Sequence, residues 1–269
     1  MTIPFATVLA RVAAVLLLVV TPLEAHVAQA QNLHSLKEAM FGKKASSPPG
    51  RTQAAPVVAR FTSEDGESFV FDSSRPQPLV RFDGEDEVWL LTATPGPKGD
   101  TIYKNDVGEP VIKTTRWGGM IVFSDDRPDG DPAALSGKAQ AFRPDKIAPG
   151  QLWLHMAKAA RRASIAVERL VSFDAPDVTP DTSPLYGDAV TIAAEAIVEA
   201  AAIQAQNHRA LDSVREVQFV EGRPPSATIS HGMLVLKLDP SRGTWGGRPS
   251  SKRIFNLLVT SYTVADDRH

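Results

Sequence analysis

Seven short apolar runs, at residues 57–61, 68–71, 79–82, 88–92, 101–103, 111–115 and 120–123, follow one another with no room for a helix between them. The breaks are turn chemistry: Glu64-Asp65-Gly66, Asp83-Gly84, Pro95-Gly96-Pro97, Asn105-Asp106-Val107-Gly108 and Gly118-Gly119. These residues accept the backbone angles that tight turns require. Side chains alternate along a strand, so Phe69 and Phe71 share one face, as do Val80 and Phe82. Strands this short and regularly spaced predict an antiparallel meander that curls into a sandwich or small barrel.

The pattern then changes twice. Residues 125–150 are rich in Pro, Gly and Asp and read as a connection. Beyond it the apolar period becomes helical, with Trp153, Met156, Ala157, Ala160, Val167, Leu170 and Val171 on one stripe and Gln151, His155, Lys158, Arg162 and Arg169 on another. Ser183-Pro184 opens a second helix, an N-cap followed by a first-turn proline, expected to run to about Arg215. Its alanines, among them Ala193, Ala194, Ala200 and Ala201, permit close helix packing, so a helical hairpin laid against the β part is expected. Strand texture returns at 217–220, 227–229 and 233–238, and 253–262 suits either a closing helix or a strand. Strands, helices and strands in that order predict one α+β domain over 57–269, a meander with an inserted hairpin and C-terminal strands.

The N-terminus has the layout of an export signal. Residues 12–20 are an unbroken apolar run behind Arg11, and Ala28-Gln29-Ala30 provides a small-residue cleavage site after Ala30. Nine residues at ~1.5 Å each cover roughly half of a hydrocarbon core about 30 Å thick, too little to span it. The expected organisation is a signal peptide over 1–30, a disordered tether over 31–56 with Lys37, Lys43, Lys44 and Arg51 among Ser, Pro and Gly, and then the folded domain. Localisation is expected to be periplasmic or secreted, with no stable membrane span after signal removal. The chain contains no cysteine, which excludes a disulfide framework, a thiolate nucleophile and Cys-ligated zinc. A formal charge of −2 draws no nucleic acid.

Several separated strings occur in order: Gly99-Asp100; Tyr103-Lys104-Asn105-Asp106 with Gly108; Thr115-Arg116 with Gly118-Gly119; and Gly247-Arg248-Pro249-Ser250-Ser251. On these strings the chain resembles a family of exported alphaproteobacterial proteins catalogued as a domain of unknown function, over about 60–254. The resemblance implies a bacterial envelope setting and carries over no catalytic residue.

Motifs for chemistry are sparse. No G-x-S-x-G occurs, and in Ser230-His231-Gly232 the Ser and His are adjacent, which on a strand points them to opposite faces; a turn is the simpler role. Pro249 stands three before Lys252, so S-x-x-K is absent. Asp125-Asp126-Arg127-Pro128-Asp129-Gly130-Asp131 departs from a calcium loop, because Arg127 takes a ligand position and Ser136 the place of the closing carboxylate. The histidines lack H-E-x-x-H spacing. Neither a metal nor a cofactor is expected. Glu195 and Glu199 lie one helical turn apart and form either an acid/base pair in a cleft or a solvated stripe that partners Arg162 and Arg169. The most specific binding candidate is a loop in which Arg248, Ser250, Ser251 and Lys252 hold an anion at a helix N-terminus, with plain helix capping as the alternative. The function expected from all this is a non-catalytic envelope binding or accessory protein, acting on an unknown envelope partner or a small ligand. The alternative is a hydrolase whose site assembles only in the fold, with His231 and Asp100 or Asp106 as candidates.

Overall fold

The structure, a computed structural model, describes residues 56–204 and 213–266. The signal segment with its cleavage site after Ala30, and the tether up to residue 55, lie outside the described residues.

The meander forms as expected. Its strands are β1 (Val58–Ser63), β2 (Ser68–Asp72), β3 (Leu79–Phe82), β4 (Trp89–Leu90), β5 (Thr92–Pro95), β6 (Thr101–Lys104), β7 (Pro110–Thr114), β8 (Met120–Ser124) and β9 (Arg127–Lys138). They make one sheet in the order β4-β3-β2-β1-β9-β8-β7-β6-β5, every pair antiparallel. The two strands at the ends of that order, β4 and β5, are separated in the chain by Leu91 alone, so they are halves of one broken strand and the sheet is a nearly closed barrel. Its interior is filled rather than hollow. Phe61 stacks on Phe69 at 5.7 Å, Phe69 meets Phe82 at 5.6 Å, and Phe71 meets Tyr103 edge-on at 5.1 Å.

One strand reverses a sequence expectation. The stretch 125–150 is not a connection throughout, because β9 runs for 12 residues inside it and closes the barrel between β8 and β1. Pro128, Gly130, Pro132 and Gly137 hide it, being residue types that strands disfavour. The strand accommodates them through irregular pairing. The register with β1 skips Ser136, and the register with β8 shifts between Val122 and Ser124. Gly130 has φ 86°, and a Cβ there would lie 2.8 Å from the Phe123 ring, so both its angle and its space require glycine.

The remaining chain builds a second layer. Helices α1 (Pro149–Ala166), α2 (Ser183–Gln204) and α4 (Ser251–Asp266) pack with a four-stranded sheet of β10 (Ser172–Asp174), β11 (Glu216–Glu221), β12 (Ser226–Ser230) and β13 (Met233–Leu238). A short α3 covers Gly243–Gly246. Strand order is β10-β11-β13-β12, with β10, β11 and β13 mutually parallel and β12 antiparallel to β13. The C-terminal strands therefore form their own sheet. The two long helices pair as expected, and the closing segment is helical, but the expected stripe on α1 holds only in part: Met156 and Val171 are buried and Val167 packs on the core, while the rest of the buried face is set one position earlier. Leu152, Met156, Ala159 and Ala163 are buried, whereas Trp153 and Leu170 are exposed. Leu170 and Val171 are not helical, because the chain turns at Glu168 (φ 53°) and the Val171 N–H donates to the Ser164 hydroxyl at 2.9 Å. Nor does the second helix extend to Arg215, since Val214 and Arg215 already lead into β11.

Candidate functional site

Consecutive antiparallel strands place successive turns at alternate ends of the barrel. The turns after β1, β3, β6 and β8 share one end, and they carry Glu64 and Asp65, Asp83 to Glu87, Asp106 and Glu109, and Asp125 and Asp126. That end faces the helical layer. α2 presents Glu195 and Glu199 to it, α1 presents Arg162, and the start of α4 presents Ser251 and Lys252. Between them lies a cleft of about 880 Å³. Eight carboxylates line it, from Glu67, Glu85, Asp86, Glu87, Glu109, Asp125, Glu195 and Glu199, against two cations, Arg162 and Lys252. Phe82, Trp89, Val111 and Phe123 supply its apolar wall.

Crowded carboxylates with limited access to water resist ionisation. Burial, with repulsion from Asp86 and Glu87, pushes Glu195 up to about 7, although Arg162 at 3.6 Å works the other way. Burial likewise raises Glu199, offset in part by Lys252 and reinforced by Asp125. Glu67 is raised by burial and then by Asp131 and Asp126. Glu85 is raised mainly by burial, against a lowering from the Trp89 indole N–H. That N–H is buried and meets no acceptor at full hydrogen-bond geometry, so the Glu85 carboxylate is the group near enough to feel it rather than a settled partner. Lys252 pairs with Asp125 at 2.8 Å, and this outweighs the cost of its partial burial and keeps its pKa high.

Beneath the cleft the four residues of the expected anion loop do come together, each already holding a carboxylate of this chain. The Arg248 side chain is only 2% exposed. It donates to Glu87 Oε1 at 2.8 Å, to Asp188 and to the Val88 carbonyl at 3.1 Å. Burial disfavours its charge, but Asp188 and then Glu87 outweigh that and raise its pKa. Burial also raises Glu87 and Asp188, and the guanidinium offsets part of the shift in both. Glu87 accepts from the backbone N–H of Ser251 at 3.2 Å and from its hydroxyl, while Asp106 accepts from the N–H and hydroxyl of Ser250 and from Arg253. Two barrel-turn carboxylates thus cap α4, where freed N–H groups and the helix dipole favour negative charge. Gly247, just before Arg248, lies against the chain itself. A Cβ on Gly247 would lie 2.5 Å from the carbonyl oxygens of Asp239 and Gly243.

Other expected residues fall elsewhere. His231 (φ 51°) sits in the β12–β13 turn of the small sheet, whereas Asp100 accepts from the Arg116 N–H at 3.2 Å at the barrel's other end and Asp106 is occupied at α4. Residues 125–131 form the β8–β9 turn and the start of β9, with Arg127 on Asp65 at 2.6 Å. Among the described residues no three His, Asp or Glu side chains are arranged to hold a metal. His155 leaves the polar stripe to bond the Gly187 carbonyl at 3.1 Å and the Thr191 hydroxyl at 2.8 Å. The residues that sequence reasoning undervalued are Glu195 and Glu199. The signal available in the sequence is the placement of acid in every second turn of the meander, which gathers negative charge at the barrel end that Glu195 and Glu199 of α2 face.

The strings behind the family resemblance meet in space: Asp106 touches Ser250, and Gly99-Asp100 touches Arg116. No curated protein and no solved structure matches the chain. A match over residues 35–258 begins inside the stretch read as a tether and takes in both sheets and the cleft, and by it the chain belongs to the family described as a domain of unknown function (DUF4908).

Proposed function

We propose that this chain is an exported binding protein whose acidic cleft takes a ligand that carries positive charge on an apolar body. One observation carries the reading: a cleft of about 880 Å³ with eight carboxylates, two cations and an aromatic wall. Such a volume suits a small molecule or a few residues of a basic peptide. A cation entering it gains from carboxylates that repel one another when it is absent, and Trp89, Phe82 and Phe123 offer surface to a carbon skeleton. The export half of the proposal rests on the apolar run at 12–20 and the Ala28-Gln29-Ala30 site.

The test is isothermal titration of an alkyl diamine and an arylalkyl amine, each against its carboxylate counterpart. The amines are expected to bind, more weakly at high salt and more weakly as pH falls below about 7, where Glu195 takes up a proton. Binding of the carboxylates in place of the amines would overturn the reading.

A hydrolase is the second reading, and one observation favours it: Glu195 titrates near 7 in a cleft, with Glu199 a helical turn away, as a general acid would. Turnover of a bound amide or ester that disappears in Glu195→Gln while binding persists would select this reading over simple binding.

A further inference from the structure

Helix α1 has two faces built to one spacing. Leu152, Met156, Ala159 and Ala163, at i, i+4, i+7 and i+11, are buried against α2 and the small sheet. Leu154, Lys158, Arg161 and Ile165 repeat that spacing two residues on, roughly 200° around the helix, and all four are exposed. Trp153 and Ala157 flank them. Trp153 is 55% exposed, Leu154 59% and Ile165 65%, and Leu170, just beyond the helix, is 81% exposed. The helix contains no acidic residue. Among the described residues neither Lys158 nor Arg161 forms an ion pair, while Arg162, one position farther round, is spent on Glu195.

A solvated helix face has no use for a Trp, a Leu and an Ile at this exposure, and a dry protein interface has no use for two unpaired cations between them. Both are accounted for when the covering surface is apolar in depth and anionic at its boundary. Cationic side chains then reach outward along their stems to headgroups while the apolar ones enter the acyl boundary. Among the described residues no helix is long and apolar enough to cross a membrane, so contact would be lateral. We infer that the outer face of α1, centred on Trp153, Leu154, Lys158, Arg161 and Ile165, is a docking surface for an anionic phospholipid bilayer. The site is separate from the acidic cleft and does not depend on what fills it.

The absence of cysteine makes a site-specific test direct. In the purified chain, Ala157→Cys carries an environment-sensitive fluorophore on the proposed face, and Lys98→Cys, at the barrel end away from the cleft, carries the same label as a control. Vesicles of phosphatidylcholine with about a third phosphatidylglycerol are expected to shift the emission at 157 to the blue and leave that at 98 unchanged. Phosphatidylcholine alone is expected to act at least ~10-fold more weakly, and the pair Lys158→Glu and Arg161→Glu to lower partitioning by ~10-fold or more, since each basic residue near an anionic surface contributes about 1 kcal/mol. Both substituted positions are exposed, and an unchanged melting temperature confirms that folding is intact. Three results overturn the inference: no shift at 157 although the protein sediments with vesicles, no sedimentation at all, or a shift at 157 that an acidic protein partner produces and anionic vesicles do not.

Discussion

The barrel and the helical layer hold themselves together by opposite means. In the barrel every strand pairs with its neighbour in the chain, apart from the one closure of β9 on β1, and the centre is filled by large rings of Phe61, Phe69, Phe71 and Phe82. In the layer β10, β11 and β13 are parallel, so their pairing has to wait for α2 or a hairpin to cross over, and the core mixes the small side chains of α2, among them Ala189, Ala193 and Ala196, with large ones such as Tyr186, Ile197, Phe219 and Leu236. They are joined by an apolar seam, in which Trp245 of α3 packs with Val70, Leu79 and Val88 of the barrel and with Phe142, and by an ionic joint beside it. Arg248 precedes α4 in the layer and pairs with Asp188 of α2 on one side and Glu87 of the barrel on the other. Large rings and local pairing make a unit that can be read and folded locally. Distant pairing makes one that depends on its neighbours, and the acidic cleft opens where the two meet.

The largest expected effect comes from cutting that joint. Arg248→Met preserves much of the side-chain volume but leaves Glu87 and Asp188 buried without their cation. Breaking a buried pair from one side costs about 3 to 5 kcal/mol, and two stranded carboxylates put this variant at the upper end. A melting temperature lower by on the order of 10 °C is expected by calorimetry. If the joint is what couples the two regions, the single transition also broadens or splits. A melt superimposable on wild type would show that the ionic joint is incidental to how the regions are held together.

The two cores are expected to fail in opposite directions. Phe69→Ala empties the barrel centre, where Phe69 contacts both Phe61 and Phe82, and should cost about 3 to 5 kcal/mol. Ala193→Leu overfills the helix contact, where Ala193 is fully buried, and should cost about 1 to 3 kcal/mol. Urea unfolding of both variants measures the difference. If leucine at 193 were accepted without loss, the alanine-rich contact would be loose, and the contrast between the cores would reduce to one of side-chain size.

The same contrast explains what the sequence revealed. The seven runs read in the barrel correspond to β1 to β4 and β6 to β8, legible because alternation and turn residues act between chain neighbours, whereas β5 was merged into the fourth run and the turn after it. β9 was not legible, because its Pro and Gly residues follow from bulges and from the crowding of Gly130 by Phe123, which only the closed barrel creates. The helices were legible as helices, but the face of α1 was misjudged in part. Trp153, the most apolar-looking residue of that stripe, points outward, and β10 is too short, at three residues, to show as a strand. At the candidate site the loop 247–252 was read as holding an anion because Arg248 and Lys252 stand beside two serines. What sequence could not supply was the sign of its partners, since Glu87, Asp106 and Asp188 lie 60 to 164 residues away. Once those carboxylates are in place, the loop's cations are occupied and the unspent charge in the neighbourhood is negative.

The smallest expected effect sharpens the comparison at the seam itself. Glu195 belongs to the layer but is pushed up to about 7 by burial under the barrel mouth and by Asp86 and Glu87 from the barrel. Its folded pKa therefore lies above the ordinary value of 4.5. Between those two values the folded state binds the proton more tightly than the unfolded state does, so this group makes stability fall as pH rises. Its destabilising contribution is absent below about 4.5 and complete above about 7. Glu195→Gln removes the charge, so its advantage over wild type should be negligible near pH 4 and reach a plateau above about pH 7. The side chain is a quarter exposed and Gln gives up the attraction to Arg162, so the plateau should amount to only ~1 kcal/mol, well below what the full shift implies. Melting temperatures of the two proteins from pH 4 to 8 trace the curve. A difference that does not change with pH would mean that Glu195 is well solvated, that the barrel's carboxylates do not reach it, and that the two regions meet without forming a charged cleft.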